Sequence, residues 1–276
     1  MQQYANYRNT LRSPALLYLA DLLRYRHLCW NLVGSDLRSR FRRSRLGILW
    51  AIIQPMSFAL VLAYVYGKIF NVDSYWTFTV YVFSGFILWD FFTASINLGV
   101  DALVNAEGYL KQGRIPFIVF QLRVPLGAMV TFLMAEMGLV VLMLILGQFP
   151  PVGLHLLLVP AFIAAMLAFC IPLTVIFSIL GAQFRDIKYV TTIALQALFF
   201  VSPVFLDRGF IESPHMVVLR YVNPFVPLAG MFRGPLMYGE YWSTESMILW
   251  GVWCAALWLS AIILSFSFGR KIIYAL

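Results

Sequence analysis

The chain has 276 residues, of which 62% are hydrophobic and only 12% are charged, about half the charged share of a soluble domain. A single soluble core of this length could not bury so much apolar surface, so the composition excludes an ordinary soluble domain and predicts an all-α integral membrane protein. The net charge is +8, and nine of the 20 Lys and Arg residues precede residue 46. A basic block next to the first apolar run is typical of a cytoplasmic segment and argues against nucleic-acid binding.

Apolar runs long enough to cross about 30 Å of hydrocarbon predict six transmembrane helices. These spans lie at about residues 48–68, 77–100, 117–146, 154–181, 188–206 and 246–268. With the N-terminus inside, the cytoplasmic segments hold 16 of the 20 basic residues when Arg123 and Lys188, at the ends of spans, are counted with them. This bias predicts that both termini are cytoplasmic.

Two further segments differ from simple spans. Residues 14–34 combine an apolar face, which includes His27 and Trp30, with frequent charges. This pattern predicts an amphipathic helix lying on the cytoplasmic leaflet. Residues 207–243 are apolar in patches but are interrupted by four prolines and by Arg220 and Arg233. Short re-entrant helices on the external side fit this pattern better than a seventh span.

The motifs of catalysis and nucleotide binding are not found in the sequence. The three histidines and three cysteines are scattered without the spacing of metal ligands. Gly67-Lys68 is followed by Ile69, so it is not a Walker A sequence. The chain is therefore predicted to be neither an enzyme nor the holder of a cofactor, and any ATPase would be a separate subunit.

Two acids, Asp90 and Glu136, lie inside predicted spans. A carboxyl group at membrane depth is costly and is a candidate for function, including gradient-driven transport. The alternative is that each is neutral or paired and stabilises helix packing.

Residues 36–55, DLRSRFRRSRLGILWAIIQP, resemble the opening of the permease subunits of type-2 ABC exporters (Wzm-like), notably those for O-antigen, capsule and teichoic-acid polymers. Four later stretches resemble the same family in the same order: SGFILWDFF at 84–92, QFRDIKYV at 183–190, FFVSPVFL at 199–206 and VNPFVPLAGMFRGPLM at 222–237. The chain departs from the family pattern at Asp90, where a neutral polar residue is common. It also departs in the loop KQGRIP at 111–116, which lacks an aromatic before its proline.

The resemblance implies a homodimeric permease in a bacterial inner membrane, working with two cytoplasmic ABC ATPase subunits that bind ATP and Mg²⁺. It also implies a polysaccharide substrate linked to a polyprenyl pyrophosphate. Arginine binds phosphate through a bidentate fork, so the candidate pyrophosphate site consists of Arg38, Arg40, Arg42, Arg43 and Arg45. The alternative is that these arginines fix topology by contacting anionic lipid head groups.

Aromatic side chains in a translocation path can stack on sugar rings and still let the polymer slide. The candidate channel-lining residues are Phe58, Tyr64, Asp90, Phe91, Phe199 and Phe205. The candidate contacts to the ATPase are Glu107, Lys111, Arg114, Arg185, Asp186 and Lys188. The competing hypotheses are a drug or lipid exporter of the same superfamily, a membrane-embedded glycan enzyme and a gradient-driven transporter.

Overall fold

The computed structural model describes residues 24–268, apart from residues 43, 70, 73, 113–114, 150–151, 207–208 and 210–212. Within this part of the chain the secondary structure is helical, with no strand. The α-helices in chain order are α1 (Arg26–Phe41), α2 (Trp50–Ile69), α3 (Tyr75–Val100), α4 (Glu107–Gln112), α5 (Phe117–Ile145), α6 (Leu158–Gln183), α7 (Ile187–Phe200), α8 (Val217–Val222), α9 (Phe225–Arg233) and α10 (Thr244–Phe268). Short 3-10 turns precede α2, α4, α6 and α8, and a π-turn at Gly234–Tyr238 follows α9.

Five helical segments among the described residues are long and apolar enough to cross a membrane. They are Gly47–Ile69, Tyr75–Val100, Phe117–Ile145, Leu154–Gln183 and Thr244–Phe268. Each matches a predicted span to within a few residues, and together they agree with the prediction of an all-α integral membrane protein.

The remaining predicted span, 188–206, is a shorter helix than the sequence indicated. Helix α7 has 14 residues and ends at Phe200, so at 1.5 Å per residue it is only about 21 Å long. A non-helical turn follows at residues 201–206. Ser202 precedes Pro203, and a residue before proline is disfavoured in the α conformation, which accounts for the early end of the helix.

Helix α3 is the centre of the protein. Within the protomer, 78% of the most apolar stretch of α3 is buried, compared with 17% of the corresponding stretch of α2 and 11% of that of α10. It packs against α2, α5 and α6 and also contacts α7. Aromatic rings fill the centre: Phe91 of α3 lies 5.3 Å from Phe132 of α5, which lies 5.5 Å from Phe232 of α9. The more exposed α2 and α10 therefore form the periphery of the protomer.

Helix α1 packs along the N-terminal half of α5. Its buried residues are Cys29, Leu32 and Val33, whereas His27 and Trp30 are exposed on another face. The helix continues to Phe41, beyond the predicted end at residue 34, and so includes part of the basic motif. Of the predicted interfacial helix, residues 14–23 lie outside the described residues.

Cys29, Cys170 and Cys254 are all free thiols and all buried. Burial raises the pKa of the Cys29 thiol, with a smaller opposing effect from the Arg123 guanidinium. The separation of the cysteines along the sequence is thus retained in the fold as three isolated, buried thiols.

The segment between α7 and α10 forms short helices, as predicted for its described residues. Helix α9 packs against α10, α6 and α3. Its own residues Phe225, Leu228 and Phe232 are buried in this contact. Asn223 fixes the start of this helix: its side-chain oxygen accepts a hydrogen bond from the backbone N–H of Phe225 at 2.9 Å. Its amide nitrogen donates to the Val201 carbonyl at 3.1 Å, so α9 is joined to the turn after α7.

The crossing of α6 and α3 requires a glycine at position 181. A Cβ at Gly181 would lie 2.1 Å from the Val100 carbonyl oxygen. We expect Gly181→Ala to lower the free energy of unfolding by about 2 kcal/mol or more, because a backbone atom must move to make room. The thermal unfolding midpoint of the purified protein in detergent measures this change.

Gly127→Ala in α5 is the matched control, since a Cβ there meets no atom within 4 Å. It should change stability by about 0.5 kcal/mol or less. Equal midpoints for the two variants would contradict the close approach of α6 to α3.

Candidate functional site

The predicted pyrophosphate-binding arginines lie at and just beyond the C-terminal end of α1. Arg38, Arg40, Arg42 and Arg45 are exposed, and Arg43 lies outside the described residues. Arg38 and Arg40 occupy the last turn of the helix, where a cation also stabilises the negative end of the helix dipole. The structure thus presents these four guanidinium groups on an accessible surface at one end of the protein.

Arg40 and Asp90 line one small cavity. Its volume is about 30 Å³, and it is also bordered by Trp50, Gln54 and Phe86. A cavity of this size holds little more than a water molecule, so a pyrophosphate could not enter it. It could contact Arg40 and the neighbouring exposed arginines only at the surface. Asp90 is exposed on α3, whereas the second intramembrane acid, Glu136, is buried in α5.

Asp36, the first residue of the basic motif, pairs with Arg123 of α5. The Arg123 Nε and Asp36 Oδ2 atoms are 3.6 Å apart, and the Arg123 side chain is nearly buried. This ion pair joins α1 to α5, so Asp36 has a positioning role that its motif did not reveal.

The described residues among the predicted ATPase contacts lie in α4 and around the start of α7. Glu107 and Lys111 form an ion pair within α4. Arg185 and Asp186 are exposed in the turn before α7. Lys188 of α7 pairs with Asp101, which caps the end of α3, at 2.5 Å. Arg114 lies outside the described residues.

The structure divides the predicted channel residues into two groups. Phe58 and Tyr64 are exposed on α2, and Phe199 is partly buried against Trp89 at a ring distance of 5.5 Å. Phe91 and Phe205 are only 1% and 3% exposed. Phe205 stacks on Tyr66 at 4.4 Å. Their burial inside the protomer argues against the channel-lining prediction for Phe91 and Phe205, because neither ring can reach a polymer.

Arg233 is the residue whose importance the sequence analysis missed. It is 4% exposed, and it donates four hydrogen bonds. The acceptors are Ser84 Oγ at 2.9 Å and the carbonyl oxygens of Pro203 at 2.6 Å, Tyr81 at 2.9 Å and Val204 at 3.0 Å.

The Arg233 guanidinium also lies 3.6 Å from the centre of the Tyr81 ring. A Cβ at the neighbouring Gly85 would lie 2.3 Å from Arg233 Nη2, so the glycine makes room for the guanidinium. The sequence did contain a signal for Arg233, namely a charged residue in an apolar, proline-rich segment. That charge was interpreted only as an interruption of the segment.

Across the described part of the chain, no group of three or more His, Cys, Asp or Glu residues is arranged to hold a metal ion. The chemically distinctive features are instead the exposed arginines, the Glu107–Lys111 and Lys188–Asp101 ion pairs, and the buried Arg233.

A family model described as ABC-2 type transporter matches residues 27–237. The chain belongs to this family. The match covers every site described above, from α1 to the π-turn. Membership of the ABC-2 family, together with the apolar helices, establishes an integral membrane permease and confirms the resemblance to type-2 ABC permeases. It favours a transporter over the membrane-embedded enzyme considered above.

Individual relatives of this ABC-2 protein are similar over most of their length. An O-antigen export system permease protein RfbA from Myxococcus xanthus is 28% identical over 217 residues, covering 77% of this chain and 81% of the relative. An RfbA from Klebsiella pneumoniae is 23% identical, with coverage of 80% and 82%. A polysialic acid transport protein KpsM from Escherichia coli is 24% identical, with coverage of 74% and 79%.

The burial of Arg233 leads to a stability prediction for this ABC-2 protein. We expect Arg233→Met to lower the free energy of unfolding by several kcal/mol, since the Pro203 and Val204 carbonyls lose their Arg233 donor and each buried acceptor left unpaired costs about 1–3 kcal/mol. The measurement is thermal unfolding in detergent.

Arg220→Met is the control in the same segment. Arg220 forms a partly exposed ion pair with Glu245, which contributes about 0–1 kcal/mol. A loss of stability no larger for Arg233→Met than for Arg220→Met would show that the Arg233 contacts do not hold α9 in place.

Proposed function

We propose that this chain is the channel-forming permease subunit of an ATP-driven exporter of a lipid-linked polysaccharide, of the O-antigen or capsule type. It would act as a homodimer in the bacterial inner membrane, with both termini cytoplasmic and with two ABC ATPase subunits that bind ATP and Mg²⁺. The observation that carries the proposal is the similarity to three polysaccharide export proteins over 74–80% of this chain.

The exposed surface of α2, α3 and α7 supports a translocation path on that side of the protomer. Gln54 and Ser57 of α2, Asp90 of α3, and Thr192 and Gln196 of α7 are all exposed within apolar helices. Polar side chains at membrane depth usually face a water-filled cavity or a protein partner rather than lipid. These three helices are neighbours, because α2 and α7 both pack against α3.

Aromatic rings accompany the polar groups on this surface. Phe58 is exposed next to Gln54 and Ser57, and its ring centre lies 4.6 Å from that of Phe86. Tyr64 is exposed one to two turns further along α2. A second copy facing this surface would enclose a path lined by both polar groups and aromatic rings, which suits a sliding glycan.

The arginines at the end of α1 support a substrate that carries a pyrophosphate. They are exposed at the cytoplasmic entrance of the proposed path, and Arg40 shares a cavity wall with Gln54 and Asp90. Guanidinium groups bind phosphate with two parallel hydrogen bonds. A lipid pyrophosphate arriving in the cytoplasmic leaflet would meet these groups first.

The ion pair between Lys188 and Asp101 supports a mechanism in which helices move as rigid bodies. It joins the start of α7 to the end of α3, so a push on the 184–188 turn would be transmitted to both helices. ATP binding by the partner subunits would shift this end and open the path between the two copies.

Replacing both Arg40 and Arg42 by Gln should weaken the response to substrate. We expect the lipid-linked polysaccharide concentration for half-maximal ATPase stimulation of the reconstituted complex to rise about tenfold or more. The reason is that a hydrogen bond to a charged group contributes about 1.5–3 kcal/mol.

The double variant Arg24→Gln and Arg26→Gln removes the same charge at the opposite end of α1 and should leave this concentration unchanged. If the two double variants behave alike, the arginines act as a topology anchor and the pyrophosphate role is wrong.

Reversing the charge of one partner in the Lys188–Asp101 pair should reduce coupling. We expect Lys188→Glu to lower export-coupled ATPase activity by up to about fivefold, because an exposed pair contributes at most ~1 kcal/mol. Adding Asp101→Lys should restore activity, since it recreates the pair with opposite polarity. Activity that stays low in the swapped variant would mean that these residues act separately.

A further inference from the structure

A second and larger cavity lies at the end of the protein opposite the arginines of α1. Its volume is about 240 Å³, and it lies between α9 and the beginning of α10. The cavity wall includes the side chains of Tyr81, Arg220, Tyr241, Glu245 and Ser246, together with Gly230 of α9. The proposed entrance for the lipid pyrophosphate is at the other end, so this cavity is a separate site.

The polar wall of the cavity includes an acceptor without a partner. Glu245 Oε2 accepts a hydrogen bond from Arg220 Nη2, which fixes the position of the carboxylate. Glu245 Oε1 is buried and has no hydrogen-bond partner among the described residues. A buried acceptor without a donor is costly. Because Glu245 lines the cavity, a hydroxyl group bound there would remove that cost by donating to Oε1 once the carboxylate turns towards it.

Aromatic surface accompanies this carboxylate. Tyr241 lines the cavity and is 64% exposed, so one face of its ring is available to a ligand. On the inner side, Tyr81 is held rigidly, since the Arg233 guanidinium stacks on its ring. An apolar ring face beside fixed polar groups matches the C–H face and hydroxyl edge of a pyranose.

Size and charge narrow the class of ligand. A volume of about 240 Å³ is below the ~300–1,000 Å³ typical of drug-sized ligands, so the cavity suits a single sugar ring. The cavity is lined by two arginines, Arg220 and Arg233, and by two glutamates, Glu240 and Glu245, so its formal charges balance. Glu245 Oε1 is an acceptor without a donor among the described residues. A phosphate head group offers acceptors and a negative charge there, whereas a neutral sugar offers hydroxyl donors.

We infer that this cavity is an external subsite that binds one neutral sugar residue of the exported polysaccharide. The identity of the polymer rests on the function proposed above. The subsite would hold the chain where it leaves the membrane, between a short external helix and the last span.

The test measures binding of lipid-free polysaccharide, released from the source strain by mild acid, to the permease–ATPase complex in nanodiscs. Isothermal titration calorimetry gives the Kd. Gly230→Leu places a side chain in the cavity, and Tyr241→Ala removes the exposed ring. Both positions are exposed. A Cβ at Gly230 would lie 3.2 Å from Ser246 Oγ, so that hydroxyl must shift slightly, and gel filtration checks that both variants fold. We expect each variant to raise the Kd at least tenfold.

Tyr221→Ala is the matched control, because Tyr221 is an exposed tyrosine of the same external segment that does not line this cavity. It should leave the Kd within twofold of the wild-type value. An unchanged Kd in both cavity variants, or no binding by the wild type, would overturn the subsite. Displacement of the polysaccharide by glycerophosphoglycerol would also overturn it, in favour of a lipid head group.

ATPase stimulation by the lipid-linked polysaccharide, measured on the same wild-type preparation, separates the two proposals. Stimulation combined with unchanged Kd values in the variants removes the subsite and leaves the exporter function standing. Absence of stimulation contradicts the exporter function itself.

Discussion

The hydrogen bonds of the buried Arg233 guanidinium join α9 to α3 and to the turn after α7. Among the described residues Arg233 has no acidic partner, so hydrogen bonds to neutral acceptors must offset the cost of burying the cation. Here the acceptors come from α3 and from the turn after α7. That turn exists because α7 stops at Phe200, which leaves the Pro203 and Val204 carbonyls free to accept. The shortness of α7 and the burial of Arg233 are therefore two parts of one arrangement.

Helix α3 connects this arrangement to the start of α7. Near its start it supplies Ser84 and the Tyr81 carbonyl to Arg233. At its end, Asp101 pairs with Lys188 of α7. The first contact reaches the turn after α7 through Arg233, and the second reaches the start of α7. Helices α3 and α7 are thus joined at both ends of α7. These contacts therefore form one connected path from the 184–188 turn to α9.

The spans were predictable because crossing a bilayer requires long apolar helices, and this requirement is visible in composition alone. The extent of α1 and the end of α7 were not predicted correctly, because helix ends depend on capping and tertiary contacts that hydropathy does not include. The shortness of the helices between α7 and α10 was predictable from proline spacing.

The side chains of the site were harder to predict. Phe91 and Phe205 lie in segments that are apolar on every side, so no periodicity distinguishes a buried ring from an exposed one. The role of Arg233 depends on carbonyl groups about 30 and 150 residues away in sequence, which no local pattern reveals. The exposure of Arg38, Arg40, Arg42 and Arg45 was predictable, because exposure is the usual state of arginine. Their role in binding pyrophosphate stays a prediction.

The three buried cysteines have a practical consequence for following the motion of this protein. Thiol-directed probes react with accessible thiolates, and Cys29, Cys170 and Cys254 are each enclosed by packed side chains. The native chain is thus a nearly silent background for site-directed labelling. A cysteine introduced at an exposed position of α2 or α7 would take up a spectroscopic label selectively, so distances between two copies could be recorded during a transport cycle without first removing the native thiols.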